Sequence, residues 1–152
     1  MKATFRETCE GDAECVAPRM RALDIKELEA HGIGPKDALL QSIERSEVCN
    51  TVIIDGKPEG VFGISRVIDG GLIWFLCTDK IKGSAFSAIK LGRLFIEEQL
   101  DNYQMLYNFV HAEHEEAQHF IALMGFDLTH HASINNHNFY RFERRRDRCV
   151  SE

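Results

Sequence analysis

No stretch of this 152-residue sequence has the roughly 18 consecutive apolar residues that a membrane-spanning helix needs. The first residues, Met1-Lys2-Ala3-Thr4-Phe5-Arg6, run straight into charge without an apolar core, so no secretory leader is expected. There is no Cys-x-x-Cys pair. The five cysteines, Cys9, Cys15, Cys49, Cys77 and Cys149, are odd in number and irregular in spacing, which argues against a disulfide framework and predicts reduced, mostly buried thiols. The seven histidines show no spacing that assembles four metal ligands, so no metal is expected. Positive charge is also in deficit. A net charge of −6 argues against a nucleic-acid partner, because neutralising phosphates requires a basic face. Residues 141–148 are the exception, and they read as a final strand running into a solvated basic end at about 144–152. These absences leave one cytoplasmic domain over residues 1–152, with no membrane partner.

What is present is ordinary globular material, 44% apolar and 28% charged. A short strand is expected near residues 2–7, followed by a helical turn from Asp12. Pro18 limits that turn. A helix capped by Asp24 should stop at Gly32, with Leu23, Ile25 and Leu28 facing inward. Gly34-Pro35 restarts the chain into an amphipathic helix to about residue 47. The period then changes to that of strands: residues 51–54 and 61–68 form a hairpin, and the apolar run 72–78 suggests burial on both faces. A long helix over 84–100, with Phe86, Leu91 and Leu94 among its apolar positions, precedes a strand at 106–110. A helix at 115–124 ends at Gly125, and strands follow near 126–129 and 139–143. The fold class is therefore α/β, with helices on a mixed sheet.

One unit carries a chemical suggestion. The strand ending Phe75-Leu76-Cys77-Thr78-Asp79 leads into Lys80-Ile81-Lys82-Gly83-Ser84-Ala85 and then the long helix. Amides at a helix N-terminus point outward and carry the positive end of its dipole, so a turn of small residues there can receive a pyrophosphate. Gly83 and Ala85 allow close backbone approach, and Lys80 and Lys82 add charge. A plain strand-to-helix connection would have the same local look.

These residues resemble the GNAT superfamily of N-acetyltransferases, in which a basic residue or Gln, then Gly, then Gly or Ala recur at the spacing of Lys80, Gly83 and Ala85. A second stretch, residues 110–126, resembles that family's strand-to-helix segment ending in Gly-Phe, here Gly125-Phe126. The resemblance implies a mixed, mostly antiparallel sheet of six or seven strands with helices on both faces. It also implies acetyl-CoA as cosubstrate, with Phe75, Leu76 and Cys77 beside the pantetheine arm and Lys80, Lys82, Gly83, Ser84 and Ala85 at the phosphates. Shorter strings, including Ala17-Pro18-Arg19-Met20 and Tyr107-Asn108-Phe109-Val110, are similar to a GNAT-like family encoded by tailed bacteriophages and related to a small internal virion protein of short-tailed phages.

Acyl transfer needs a polarised thioester carbonyl, a deprotonated amine and a proton for the leaving thiolate. The backbone amides of Leu76 and Cys77 are candidates for the first. His111 is the first choice as base, with Glu113, Glu59 and Asp79 as alternatives. For the third, the family often places a Tyr and a preceding Asn where this chain has Ile121 and His114. Three readings stay open: an acyl-CoA-dependent N-acyltransferase acting on a small amine or a protein lysine, an inactive virion or assembly protein contacting phage structural proteins, and a module that only holds CoA.

Overall fold

The computed structural model describes residues 2–147. In chain order the elements are β1 (Ala3–Glu7), α1 (Asp12–Val16), a 3-10 turn (Ala17–Arg19), α2 (Ala22–Ala30), α3 (Pro35–Arg45), β2 (Val48–Ile54), β3 (Lys57–Val67) and β4 (Gly70–Cys77). A second 3-10 segment (Asp79–Ser84) leads into α4 (Ala85–Gln99), followed by β5 (Met105–His111), α5 (Glu115–Leu123), β6 (Asp127–Ile134) and β7 (His137–Arg145). The seven strands make one sheet in the order β1-β2-β3-β4-β5-β7-β6. Every neighbouring pair is antiparallel except β4 with β5. Two tight hairpins set register through left-handed pairs, Asp55-Gly56 and Asn135-Asn136, residue types that tolerate positive φ.

Side chains alternate across the strands, so each face has its own core. On one face Val16, Met20 and Leu39 pack with Val61, Trp74 and Leu76, which seats α1, α2 and α3. On the other, Ala88 meets Phe62 and Cys77, and Ile96, Ala117 and Met124 meet Ile64, Leu106 and Val110, which seats α4 and α5. A Cβ on Gly92 would stand 2.4 Å from Met124 Cε, so the glycine lets α4 lie close to the end of α5.

Several sequence expectations need correction. Asp24 lies inside α2 and caps nothing; α2 starts at Ala22, and Leu23 is exposed. The long helix begins at Ala85 after a 3-10 segment, and its Phe86 (86% exposed) and Leu94 face solvent. Only Cys77 is a buried thiol: Cys9 is exposed, Cys15 and Cys49 are half-buried, and Cys149 lies outside the described residues. The basic end is partly fastened. Arg144 reaches Glu97 and the Met124 carbonyl, and Arg146 donates to the Leu100 and Asp101 carbonyls that terminate α4. Residues 148–152 lie outside the described residues.

The parallel contact between β4 and β5 is confined to Gly71 with Leu106 and Leu72 with Tyr107. Side chains at Gly70 and Gly71 would collide with the Met105 backbone and with Leu106 and Tyr103, so this approach depends on glycine. Beyond Leu72 the strands separate. That opening positions everything that follows.

Candidate functional site: the seam between β4 and β5

Backbone alternation decides which groups face the seam. The Thr78 N–H donates to the Glu59 carbonyl at 2.9 Å, so Thr78, Leu76 and Trp74 bond toward β3, while Ile73, Phe75 and Cys77 present their N–H and C=O toward β5. Likewise the Ala112 N–H donates to the Asn138 carbonyl, so Tyr107, Phe109 and His111 face β4. At the apex, the Asn108 amide donates through Nδ2 to the Ile73 carbonyl at 2.6 Å and accepts the Phe109 N–H at 2.7 Å, standing in for a rung of ladder. At the wide end the Cys77 N–H donates to Asp24 Oδ2, and the Cys77 carbonyl accepts from the Arg21 N–H. The His111 N–H donates to Glu27 Oε1 at 3.0 Å. Between these fastenings the N–H and C=O of Phe75 face the open seam.

The polar stripe of α2, Arg21, Asp24 and Glu27, lies along the wide end. Asp24 is 3% exposed and fully engaged: Arg21 grips it with two nitrogens at 2.9 and 3.1 Å, and His114 Nε2 lies 3.1 Å from Oδ1. His114 Nδ1 accepts the Ala117 N–H, so His114 caps α5 and its other nitrogen carries the proton shared with Asp24. Glu27 is treated differently. Among the described residues its one hydrogen-bond donor is the His111 amide, and burial, with the Asp24 carboxylate adding to it, pushes its carboxyl up to about 7.

A cavity of about 510 Å³ runs through the seam and reaches both faces of the sheet. Glu27, Leu28, Trp74 and Phe109 line it on the α2/α3 side, and Phe75, Phe120 and Ile121 line it on the α4/α5 side. This explains β4, whose apolar run was expected to be buried on both faces: residues 72–76 are only partly buried because they wall a cavity. Phe75 and Phe120 stack across the seam with centroids 5.7 Å apart.

At the α4 end, the 3-10 segment is capped by Thr78, whose hydroxyl accepts the Lys80 N–H at 3.2 Å. Gly83 is exposed, and a Cβ added there would meet nothing within 4 Å. Lys80 is exposed, Ser84 and Ile81 are buried, and Ala85 opens α4. Glu116, in the first turn of α5, bridges two cations: Lys82 Nζ at 3.2 Å and Arg21 Nη1 at 3.5 Å.

The candidates expected to supply the base land elsewhere. The His111 ring points away from the cavity, with Nε2 3.2 Å from His137 Nδ1 and Nδ1 accepting the Glu113 N–H; burial, chiefly, lowers its pKa. Glu113 sits in an exposed pair with Lys26 at 2.7 Å. Glu59 is buried but spent on Arg19 and Thr78, both at 2.6 Å. Asp79 opens the 3-10 segment on the surface. Of the two amides considered for the thioester, that of Leu76 bonds toward β3 and that of Cys77 is held by Asp24, which leaves Phe75. Burial pushes the Cys77 thiol pKa far above neutrality, so it carries no thiolate. Glu27 was missed by sequence reasoning. The available signal was a charged stripe, Arg21, Asp24 and Glu27, at helical spacing where a sheet-packed helix should be apolar.

A seven-stranded, mostly antiparallel sheet that opens between two adjacent parallel strands, with helices on both faces, is the fold of the GNAT acetyltransferases. It matches a GNAT-family acetyltransferase of Bacillus anthracis at TM-score 0.72 and 10% identity over 96% of each chain. It also matches the ribosomal-protein-S5-alanine acetyltransferase of Vibrio fischeri at 0.67 and 16%, over 97% of this chain and 94% of that one. A third match is spermidine N-acetyltransferase of Vibrio cholerae, in complex with CoA and spermine, at 0.66 and 17%, over 95% and 96%. No family model matches the sequence, and no curated protein does. Among the described residues no helix is long and apolar enough to cross a membrane, and no group of three or more potential metal ligands occurs.

Proposed function

We propose that the chain is an acyl-CoA-dependent N-acyltransferase whose reaction takes place in the β4–β5 seam. The observation that carries this is the continuity of the seam: one cavity reaches from Ala88 of α4, three residues past that helix's first residue, through the opening beside Phe75 to Glu27 of α2, whose carboxyl is pushed up to about 7. The residues fit a CoA ester. The start of α4 with Lys80, Lys82 and the uncrowded Gly83 would hold the pyrophosphate, and Phe75 presents strand-like N–H and C=O groups to an amide-bearing arm. Acyl-CoA supplies the acyl thioester.

The chain's own groups then do three things. The Phe75 N–H donates toward the thioester oxygen, where negative charge develops during attack. Glu27, ionised at and above about pH 7, accepts the proton of the attacking amine; a base tuned close to ambient pH suits that task. Ile121 stands where the resembled family often has Tyr and has no proton to give, so the leaving thiolate is protonated from solvent at the open mouth. His111, Glu113 and Glu59 act structurally in this scheme: His111 and Glu59 tie elements together, and Glu113 pairs at the surface.

The competing reading of a GNAT-fold virion or assembly protein without turnover rests, like the bacteriophage kinship, on short sequence strings. It offers no reason for a carboxyl tuned to neutrality inside a through-sheet cavity. Thiol release from acetyl-CoA, followed over a panel of primary amines across neutral pH, separates the two. The expected outcome is amine-dependent release that rises with pH through about 7. Acetyl-CoA binding without release on any amine would leave a CoA-holding module, and the absence of binding would leave only the structural role.

A further inference from the structure

The α2/α3 side of the cavity is chemically asymmetric, and this bears on which amine it takes. On this side it is lined by Glu27, by Leu28, Leu72, Trp74 and Phe109, and by Gln41, Ser42 and Arg45 of α3. Arg45 is the last residue of α3 and has no carboxylate partner among the described residues. The nearest acid in sequence, Glu47, is taken by Arg66 and by the Tyr103 hydroxyl. The adjoining Ser46 hydroxyl accepts the Trp74 indole N–H at 2.8 Å, which fixes this end of α3 at the level of Trp74. Glu27 follows Asp24, which holds the Cys77 amide, so the carboxyl lies at the level of residues 75–77. The two charges are therefore about one to three residues apart along β4, roughly 3–10 Å at about 3.3 Å per residue.

Resting on the acyltransferase reading, we propose that the acceptor is a primary amine on an aromatic or rigid apolar body that ends in a carboxylate. The amine sits at Glu27, the body packs between Trp74 and Phe109, and the carboxylate meets Arg45. A guanidinium with spare donors suits a carboxylate, and its charge opposes any acceptor with a second cation at that end. The site thus selects against polyamines, although a spermine complex is known for one protein of the same fold. In the reaction, the amine nitrogen forms a bond to the acyl carbon, the carbon–sulfur bond breaks with its electron pair on sulfur, Glu27 takes the amine proton, and the thiolate leaves as CoA.

Three probes test this with acetyl-CoA and thiol release: para-aminomethylbenzoate, its carboxamide, and spermine. The acid is expected to exceed both others by about tenfold or more in kcat/KM, a charge-assisted contact being the difference. Arg45→Gln, a surface change, should lower the acid far more than the amide, bringing the two close together, while leaving the KM for acetyl-CoA unchanged. Equal turnover of acid and amide, preference for spermine, or an equal fall for both aryl amines in Arg45→Gln would overturn the acceptor assignment while leaving acyl transfer intact. Acetyl-CoA binding with no release on these or other primary amines would instead end the acyl-transfer reading, and this inference with it.

Discussion

Asp12 and Glu27 are carboxyl groups on helices that cover the same face of the sheet, and the protein treats them in opposite ways. Asp12 receives Arg6 through two nitrogens at 2.8 and 3.0 Å, the Cys9 N–H at 3.0 Å and the Thr51 hydroxyl at 2.7 Å. Burial works to raise its pKa, but these bonds to the charged form prevail and hold it at about 2. Glu27, half-buried beside the cavity, has one amide among the described residues to set against its desolvation, and its carboxyl rises to about 7. The first arrangement fixes α1 to β1 and β2. The second leaves a group able to change charge where a cavity passes beside it. Saturation with partners separates a carboxylate that holds structure from one that can do chemistry.

The largest expected effect falls on the chemical side of this comparison. Glu27→Gln should lower kcat/KM for acyl transfer by about 10²–10⁴ and flatten the rise of rate with pH, as loss of a positioned general base does. Stability should not fall with it. A carboxyl whose folded pKa lies above its unfolded value favours folding fully only below that unfolded value, and the benefit is lost as pH rises to about 7. Wild type should therefore lose stability over that window and Glu27→Gln should not, a difference that denaturant melts on either side of neutrality would show. If the variant kept full activity, or unfolded more readily at pH 8 than wild type, the two carboxyls would not differ in kind.

Next is the structural carboxyl. Asp12→Ala removes the acceptor that the Cys9 amide, the Thr51 hydroxyl and Arg6 share and should cost about 2 kcal/mol in a urea melt, while acetyl-CoA binding in the folded fraction is kept. Its sign with pH is the reverse of Glu27. The contribution of Asp12 is present above its unfolded pKa and is lost as pH falls toward about 2. A flat acid limb in wild type would show that this network holds nothing.

The smallest effect belongs to Glu116, a half-exposed carboxylate between Lys82 and Arg21. In the proposed scheme it holds the place of an anion beside the turn that would take the phosphates. Removing its charge in Glu116→Gln should strengthen acetyl-CoA binding by about threefold at low salt, and less at high salt, because exposed pairs are weak and screened. Weaker binding in the variant would mean that Glu116 helps to hold the ligand.

Much of the fold was legible in the sequence because its signals are local. Asp55-Gly56 marked a hairpin, Gly34-Pro35 a helix start and Gly125 a helix end, and the observed elements follow them closely. The turn proposed to hold phosphates was visible as strand, small residues and helix, with a 3-10 segment where a plain turn was expected. The surroundings of Glu27 were not. Glu27 comes to the seam because α2 lies against the free edge of β5, a contact across 84 residues of sequence. His111 sits at a strand end as anticipated, but β7 brings His137 to its ring and takes it away from the cavity. Likewise, which amide of β4 faces the seam depends on pairing parity with β3, and one residue of parity separates Leu76 from Phe75.

The central claim is that the seam takes a CoA ester with its phosphates at the α4 turn. Titrating acetyl-CoA calorimetrically into wild type and Gly83→Glu tests it most directly. Gly83 has open space around it and lies outside the left-handed region, so the substitution should leave the melting temperature unchanged. Wild type is expected to bind and Gly83→Glu to show no measurable heat, since added bulk and negative charge would stand where the pyrophosphate sits. Equal affinity in the two proteins would contradict the assignment of the turn, and no binding by either would contradict the site as a whole.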